Sequence, residues 1–121
     1  MIAAHEKDII SKDLIGEGYG NVKGKVLISA ATGWDDYVMR LFEVGQGGYS
    51  ANHKHNYPHI VYVLDGEGVL EMDGKIYPIQ NGSFAFIENN IQHQLRNTGK
   101  NGEVLKFTCI VPKEGHLGFP E

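Results

Sequence analysis

The chain has 121 residues, 41% of them hydrophobic, and a formal charge of −4. That length is one domain's worth, enough to bury a core without disulfides or structural metals. The scattered, slightly acidic charge offers no basic face for nucleic acid and no polybasic patch for a membrane, and no run of about 18 apolar residues is present to span one.

The first twenty residues contain His5, Glu6, Lys7, Asp8, Lys12, Asp13 and Glu17 and no apolar run of signal-peptide length. They read as an arm or an edge strand, ahead of a domain over residues 21–121. Lys25 to Ala30 reads as a strand, followed by a loop through Thr32, Gly33, Trp34, Asp35 and Asp36, and then a strand from Tyr37 to Val44. A glycine cluster, Gly45-Gln46-Gly47-Gly48, precedes the histidine-rich segment. The next strands are His59 to Leu64, Val69 to Met72 and Lys75 to Ile79. Asp73-Gly74 between the last two is a hairpin signal, because both residues tolerate positive φ. Pro78 belongs at a strand end or sheet edge, where a missing donor does no harm. Phe84 to Ile87, Gln94 to Arg96 and Val104 to Val111 complete the set. Short apolar runs punctuated by sixteen glycines, with no helical period lasting three turns, predict an all-β sandwich or barrel.

Alternation assigns the faces. His59, Val61 and Val63 point one way, and Ile60, Tyr62 and Leu64 the other. Both faces are apolar. One fills the barrel, so the other is expected to meet a second sheet or a second copy of the chain, which makes a homodimer the expected assembly. Leu105, Phe107, Cys109 and Val111 share a face opposite Lys106 and Thr108, so Cys109 should face inward. As the one cysteine, it has no disulfide partner within the chain and fits a reducing, cytoplasmic setting.

Four of the six histidines fall in two segments, His53-Lys54-His55-Asn56-Tyr57-Pro58-His59 and the isolated His93. His53 and His55 share a face by period two. Pro58 breaks the extension, and the turn can carry His59 round to the first pair. His93 must arrive from a strand distant in sequence. Neutral imidazoles suit divalent Mn, Fe, Co, Ni, Cu and Zn, whereas Ca and Mg prefer oxygen. Four nitrogens on an octahedral ion leave two positions open for water or a chelating small molecule, the mark of a reactive site. With four neutral ligands the ion keeps its full double charge, which favours anionic or enolisable oxygen ligands.

The first segment reads Gly47-x5-His53-x-His55-x3-His59-x6-Gly66, the second Gly82-x5-Glu88-x-Asn90-x2-His93-x3-Asn97. This pattern resembles the two motifs of the cupin superfamily, with every spacing kept. Val38-Met39-Arg40-Leu41-Phe42 and Pro112-Lys113-Glu114-Gly115 extend the likeness to small single-domain cupins with a four-histidine, manganese-type site. The resemblance implies a double-stranded β-helix, the jelly-roll barrel. It implies His53, His55, His59 and His93 as ligands of one divalent ion, with Mn or Fe favoured and Ni, Zn, Co and Cu as alternatives. His59 replaces the glutamate usual in the motif, which counts against germin-like oxalate chemistry. Glu88, Asn90 and Ser83 replace the usual Pro, Gly and Asp at turn positions.

Fold alone does not assign chemistry. The leading reading is a metal-dependent oxygenase of dioxygenase type acting on a small chelating, enolisable or alkene substrate. Arg40, Phe42, Tyr57, Phe107 and Cys109 would line its pocket. A second reading is a metal-dependent isomerase or lyase on a small carbonyl compound or sugar acid. It needs a base, and Tyr37, Glu43, Tyr49 and Tyr57 are the candidates. A third is a non-catalytic module that binds a small molecule or metal. Trp34 is placed at a pocket mouth or packed on the surface. His5 and His116 are expected on the surface, and Asn97 to support a turn.

Overall fold

The computed structural model describes residues 1–15 and 18–116. Nine antiparallel strands dominate it: β1 (Lys12–Asp13), β2 (Gly20–Ile28), β3 (Tyr37–Tyr49), β4 (His59–Asp65), β5 (Glu67–Met72), β6 (Lys75–Gln80), β7 (Phe84–Ile87), β8 (His93–Asn97) and β9 (Leu105–Pro112). The remaining regular structure is three 3₁₀ turns, at Glu6–Asp8, Ala30–Thr32 and Lys113–His116. Among the described residues no helix is long and apolar enough to cross a membrane. The strands run β6-β5-β8-β3-β9-β4-β7 in a curved sheet that nearly closes on itself, with β2 on β3 and β1 on β2. This is the single-domain jelly roll that the motifs imply.

Local chemistry explains where the chain turns. Asp73 and Gly74 both take positive φ, +54° and +75°, and the β5–β6 hairpin closes there. Gly66 has φ +89°, and a Cβ on it would lie 2.3 Å from the Val104 carbonyl oxygen, so no larger residue fits between β4 and the start of β9. β3 runs past Val44, where the glycine cluster suggested a stop. The strand bulges against β2 between the pairs Val22–Val44 and Gly20–Tyr49, and Gly48 passes so close to Gly20 that a Cβ would meet its carbonyl at 2.5 Å. β2 correspondingly starts at Gly20 rather than Lys25 and ends at Ile28. β9 starts at Leu105, one residue later than read.

The interior is filled from alternate residues. Val38, Phe42 and Val44 of β3 meet Val61 and Val63 of β4, Leu70 of β5, Leu95 of β8 and Leu105, Phe107 and Val111 of β9. Cys109 is 2% exposed on the same inward face. Leu41 points to the opposite side yet is fully buried. There the N-terminal segment is tied down across β2 and β9: Glu6 pairs with Lys106, and its carbonyl accepts from Lys25 Nζ at 2.9 Å. Further on, Lys12 and Asp13 pair with Gly24 and Lys23 of β2. Pro78 lies on β6, the edge of the sheet path, where its missing amide is harmless.

Candidate metal centre

The segment before β4 is extended enough for His53 to pair with His93, the first residue of β8. Each amide donates to the other's carbonyl, at 3.1 and 3.0 Å. This bridge joins the two histidine-bearing segments. Two residues on, the His55 carbonyl accepts from the Asn90 amide at 2.8 Å, with Asn90 in a left-handed conformation at φ +62°. Pro58 ends the segment, and His59 opens β4 facing inward with Val61 and Val63. One ring nitrogen from each of His53, His55 and His93 then lies within 4.8 Å of the others.

His59 adjoins this triad. Its ring centre is 4.4 Å from that of His55 and 5.1 Å from that of His93, and the Nε2 atoms of His55 and His59 face each other at 2.7 Å. The structure thus brings all four expected histidines together, with His53, His55 and His93 as the closest-set triad and His59 beside it. His59 is engaged sideways, by His55 on one nitrogen and by Cys109 on the other. Two ring nitrogens at 2.7 Å share a proton.

The acceptors fix the protons. His55 Nδ1 lies 3.0 Å from the Tyr57 carbonyl and His93 Nδ1 2.8 Å from the Ile91 carbonyl, and a carbonyl only accepts. Both Nδ1 atoms therefore carry hydrogen, and both Nε2 atoms are left as lone pairs. On His55 that lone pair accepts from His59 Nε2–H. His59 Nδ1 in turn accepts from the Cys109 thiol at 2.9 Å, and Arg40 donates to the same sulfur at 3.4 Å. On His93, Nε2 is buried and meets no hydrogen-bond partner among the described residues. A buried, unpartnered polar atom costs about 1–3 kcal/mol, so it calls for an occupant.

Burial keeps the rings neutral. His53 is held down to about 4, first by desolvation and then by repulsion from His93, His55 and Arg40. Desolvation also leads the lowering at His55, His59 and His93. Burial pushes the Cys109 thiol up, against the opposing pull of Arg40. Neutral imidazoles with ring nitrogens within 4.8 Å of one another, one of them orphaned, fit a divalent transition ion. They offer no oxygen donor suited to Ca or Mg.

The centre forms one wall of a cavity of about 300 Å³. Arg40, Phe42, Tyr57, Phe107 and Cys109 all line it. Phe42 and Phe107 stack at 5.3 Å, and Arg40 lies 5.2 Å over the Phe42 ring. Leu14, Tyr19, Leu95 and Gly115 line the cavity as well. Leu95 was within reach of the sequence, two residues after His93 on the same face. Leu14, Tyr19 and Gly115 carry no local signal, because they arrive from the two ends of the chain.

Other expected positions fall elsewhere. Tyr37 and Tyr49 are exposed and outside the lining, and Glu43 lies 3.9 Å from Lys25 on the outer side. None of these three is placed to act as a base in the cavity. Trp34 packs on Tyr37 at 4.8 Å, away from the cavity mouth. His5 caps the first 3₁₀ turn and is exposed, whereas His116 is half-buried rather than on the surface. Asn97 is buried and holds a junction. Its Nδ2 donates to the carbonyls of Val44 and Glu103, both at 2.8 Å, and its Oδ1 accepts from Gly99 at 2.7 Å.

Residues 40–111 match the family described as Cupin domain. Among curated relatives, an L-ectoine synthase of Saccharophagus degradans is 30% identical over 80 residues, 64% of this chain and 55% of that protein. An oxalate-binding protein of Thermotoga maritima is 37% identical over 60 residues, 49% of this chain and 48% of that one. The matched part of the chain thus spans about half the length of these relatives. Among solved structures, the polyketide cyclase RemF of Streptomyces resistomycificus superposes with a TM-score of 0.84 at 25% identity, over 93% of this chain and 79% of that one.

Proposed function

The chain belongs to the cupin family, and on that premise we propose that it holds one divalent transition-metal ion and acts on a small oxygen-chelating substrate. The observation that carries this reading is His93 Nε2, a buried lone pair without a partner, beside two further neutral imidazoles at the wall of a cavity. His59 joins as a fourth ligand. Its Nε2 lies 2.7 Å from that of His55, so both rings present a nitrogen to the same side of the centre. It would join through Nε2, in the tautomer whose Nδ1–H donates to the Cys109 sulfur, with Arg40 donating to the same sulfur. Mn or Fe is the favoured ion.

When bound, the ion supplies Lewis-acid stabilisation of an enolate or carboxylate oxygen. The chain does the rest. Arg40 adds positive charge on the cavity wall, and Phe42, Leu95 and Phe107 take the apolar body of the substrate and exclude water. Tyr19, Tyr57, Ser50 and Cys109 carry the hydroxyl and thiol groups along the described lining that can exchange a proton. We favour chemistry without net redox change, an isomerase, lyase or cyclase reaction. The relative named for binding oxalate supports a chelating carboxylate ligand, and the neighbour named a polyketide cyclase supports a redox-neutral reaction. An oxygenase is the second reading, favoured by an all-nitrogen ligand set that would leave an ion room for both substrate and dioxygen.

Metal analysis of protein purified without an affinity tag is the test, alongside the His93→Ala variant. One equivalent of metal in the wild type and its loss in the variant supports the reading. Protein that is metal-free and takes up no Mn, Fe, Ni, Co or Zn overturns it. Turnover of enolisable acids under argon favours the redox-neutral reaction, and turnover that consumes dioxygen favours the oxygenase. Tight ligand binding without turnover under either condition identifies a binding module.

A further inference from the structure

The chain has two Asn-Gly steps, Asn81-Gly82 and Asn101-Gly102, and both lie in exposed turns. An asparagine followed by glycine is open to attack by its own backbone, because glycine has no side chain to shield the amide nitrogen or to restrict its rotation. The fold holds the two steps differently.

Asn81-Gly82 closes the turn between β6 and β7 and is tied into the barrel. The Gly82 amide donates to the Val63 carbonyl at 2.9 Å, and the Val63 amide donates to the Ser83 carbonyl at 2.8 Å. The Ser83 amide donates to the Gln80 carbonyl at 2.8 Å, and Ser83 Oγ accepts from the Gln80 amide at 2.9 Å. Val63 is buried in β4, so the Gly82 nitrogen is pinned to backbone that opens only when the sheet does.

Asn101-Gly102 lies between β8 and β9. Both residues are left-handed, at φ +60° and +77°, the conformation of the mirror-image turn that favours Asn-Gly. The turn closes through a long bond, from the Glu103 amide to the Lys100 carbonyl at 3.2 Å. The Gly102 amide donates to Gln46 Oε1 at 2.7 Å, a side chain and not backbone. Gln46 is exposed and gives up rotamer freedom to stay there, so this bond opens without disturbing a strand. Among the described residues nothing lies within 4 Å of the place a Cβ on Gly102 would take, which leaves room for a ring to form.

We propose that Asn101 is a site of spontaneous deamidation in the folded chain, and that Gln46 restrains it. In the first step the Gly102 nitrogen gives its proton to water or hydroxide and attacks Asn101 Cγ. The bond from Cγ to the side-chain nitrogen breaks, and that nitrogen takes a proton from solvent and leaves as ammonia. The product is a five-membered succinimide. Water then opens the ring at one of its two carbonyls and leaves aspartate or isoaspartate, each with a new carboxylate and with no change of oxidation state. Attack needs the Gly102 peptide plane to swing toward Asn101, which breaks the bond to Gln46. At Gly82 the same swing must break the bond to Val63.

Isoaspartate carries the main chain through Cβ and Cγ and lengthens the turn by one carbon. The next residue but one, Glu103, supplies a carbonyl that accepts from Asn97 Nδ2, which also donates to Val44. A lengthened turn therefore pulls on the junction of β8, β3 and β9. Neither Asn101 nor Gln46 lines the cavity, so the modification marks the age of the fold without touching the histidines.

Peptide mapping that separates aspartate from isoaspartate tests this on the full chain, kept folded at mildly alkaline pH, with Gln46→Ala and Asn101→Gln beside the wild type. The wild type is expected to lose Asn101 ahead of Asn81. In Gln46→Ala the loss of Asn101 should quicken by about two- to tenfold, the factor that one hydrogen bond is worth, with Asn81 unchanged. Aged wild type should melt below fresh protein, and aged Asn101→Gln should not. Modification of Asn81 first, or an Asn101 rate that Gln46→Ala leaves unchanged, overturns the proposal. Should Gln46→Ala misfold, the wild type alone decides, by comparison with the chain unfolded in urea. A ratio of Asn101 to Asn81 modification that is higher in the folded chain supports the assignment, and an equal or lower ratio overturns it.

Discussion

The imidazole of His55 lies flat on the phenol ring of Tyr57, with centroids 3.8 Å apart and planes 6° from parallel, while its Nδ1 donates to the Tyr57 carbonyl. One residue therefore fixes both the tilt and the tautomer of a metal-facing ring. Tyr57 is held in turn from behind by Gly115, where a Cβ would lie 2.5 Å from the tyrosine Cε2. The order Gly115, Tyr57, His55 runs from the last 3₁₀ turn to the centre.

Gly115→Val is expected to push Tyr57 off His55 and weaken metal binding about tenfold, the effect common for residues that orient a ligand. Calorimetric titration of metal-free protein with Mn or Zn measures it. Affinity equal to wild type removes Tyr57 from any positioning role.

Cys109→Ala is expected to lower metal affinity by about tenfold as well, because His59 Nδ1 loses its partner and the ring is free to turn. In the native wild type the thiol itself should resist a water-soluble disulfide reagent, being 2% exposed with its ionisation suppressed by burial. Rapid labelling of the folded protein contradicts the buried placement.

The pH dependence has a definite sign. His53 ionises near 6.5 when unfolded and near 4 when folded, and His55, His59 and His93 shift the same way. Between these values the unfolded chain binds more protons, so stability is full above pH 6.5 and is lost as pH falls toward 4. Thermal melts of metal-free protein should drop steadily over that window. The metal-loaded protein should hold its melting temperature to lower pH, since the ion competes with weakly basic rings. A melting temperature of the metal-free protein that is flat from pH 7 to 4 contradicts the neutral cluster.

Asn97→Ala should cost about 2–3 kcal/mol, because the buried carbonyl of Val44 and the carbonyl of Glu103 lose their shared donor. For a domain of this size that is a fall of roughly 10 °C in melting temperature. Asn97 touches none of the four histidines, so metal stoichiometry should stay unchanged. Loss of metal in a folded variant places Asn97 in the site.

Much of this was legible in the chain itself, because it rests on local rules. Period two put His59, Val61 and Cys109 on the inner face and Ile60 and Tyr62 on the outer. Positive-φ residues marked the Asp73-Gly74 turn, and motif spacing singled out His53, His55, His59 and His93. Tertiary structure decided the rest, because it depends on which distant segments meet. Register between β3 and β9 sets Arg40 beside Cys109 and hence beside His59, and no local pattern contains that register. Folding of the two ends over the barrel brings Leu14, Tyr19 and Gly115 to the cavity and hides Leu41, while leaving Tyr37, Glu43 and Tyr49 outside it. Hydrogen bonding within the folded cluster sets His59 between His55 and Cys109, beside the triad of His53, His55 and His93. Sequence spacing can name the ring nitrogens, but the contest between neighbouring donors and acceptors that orients them exists only once the chain has closed.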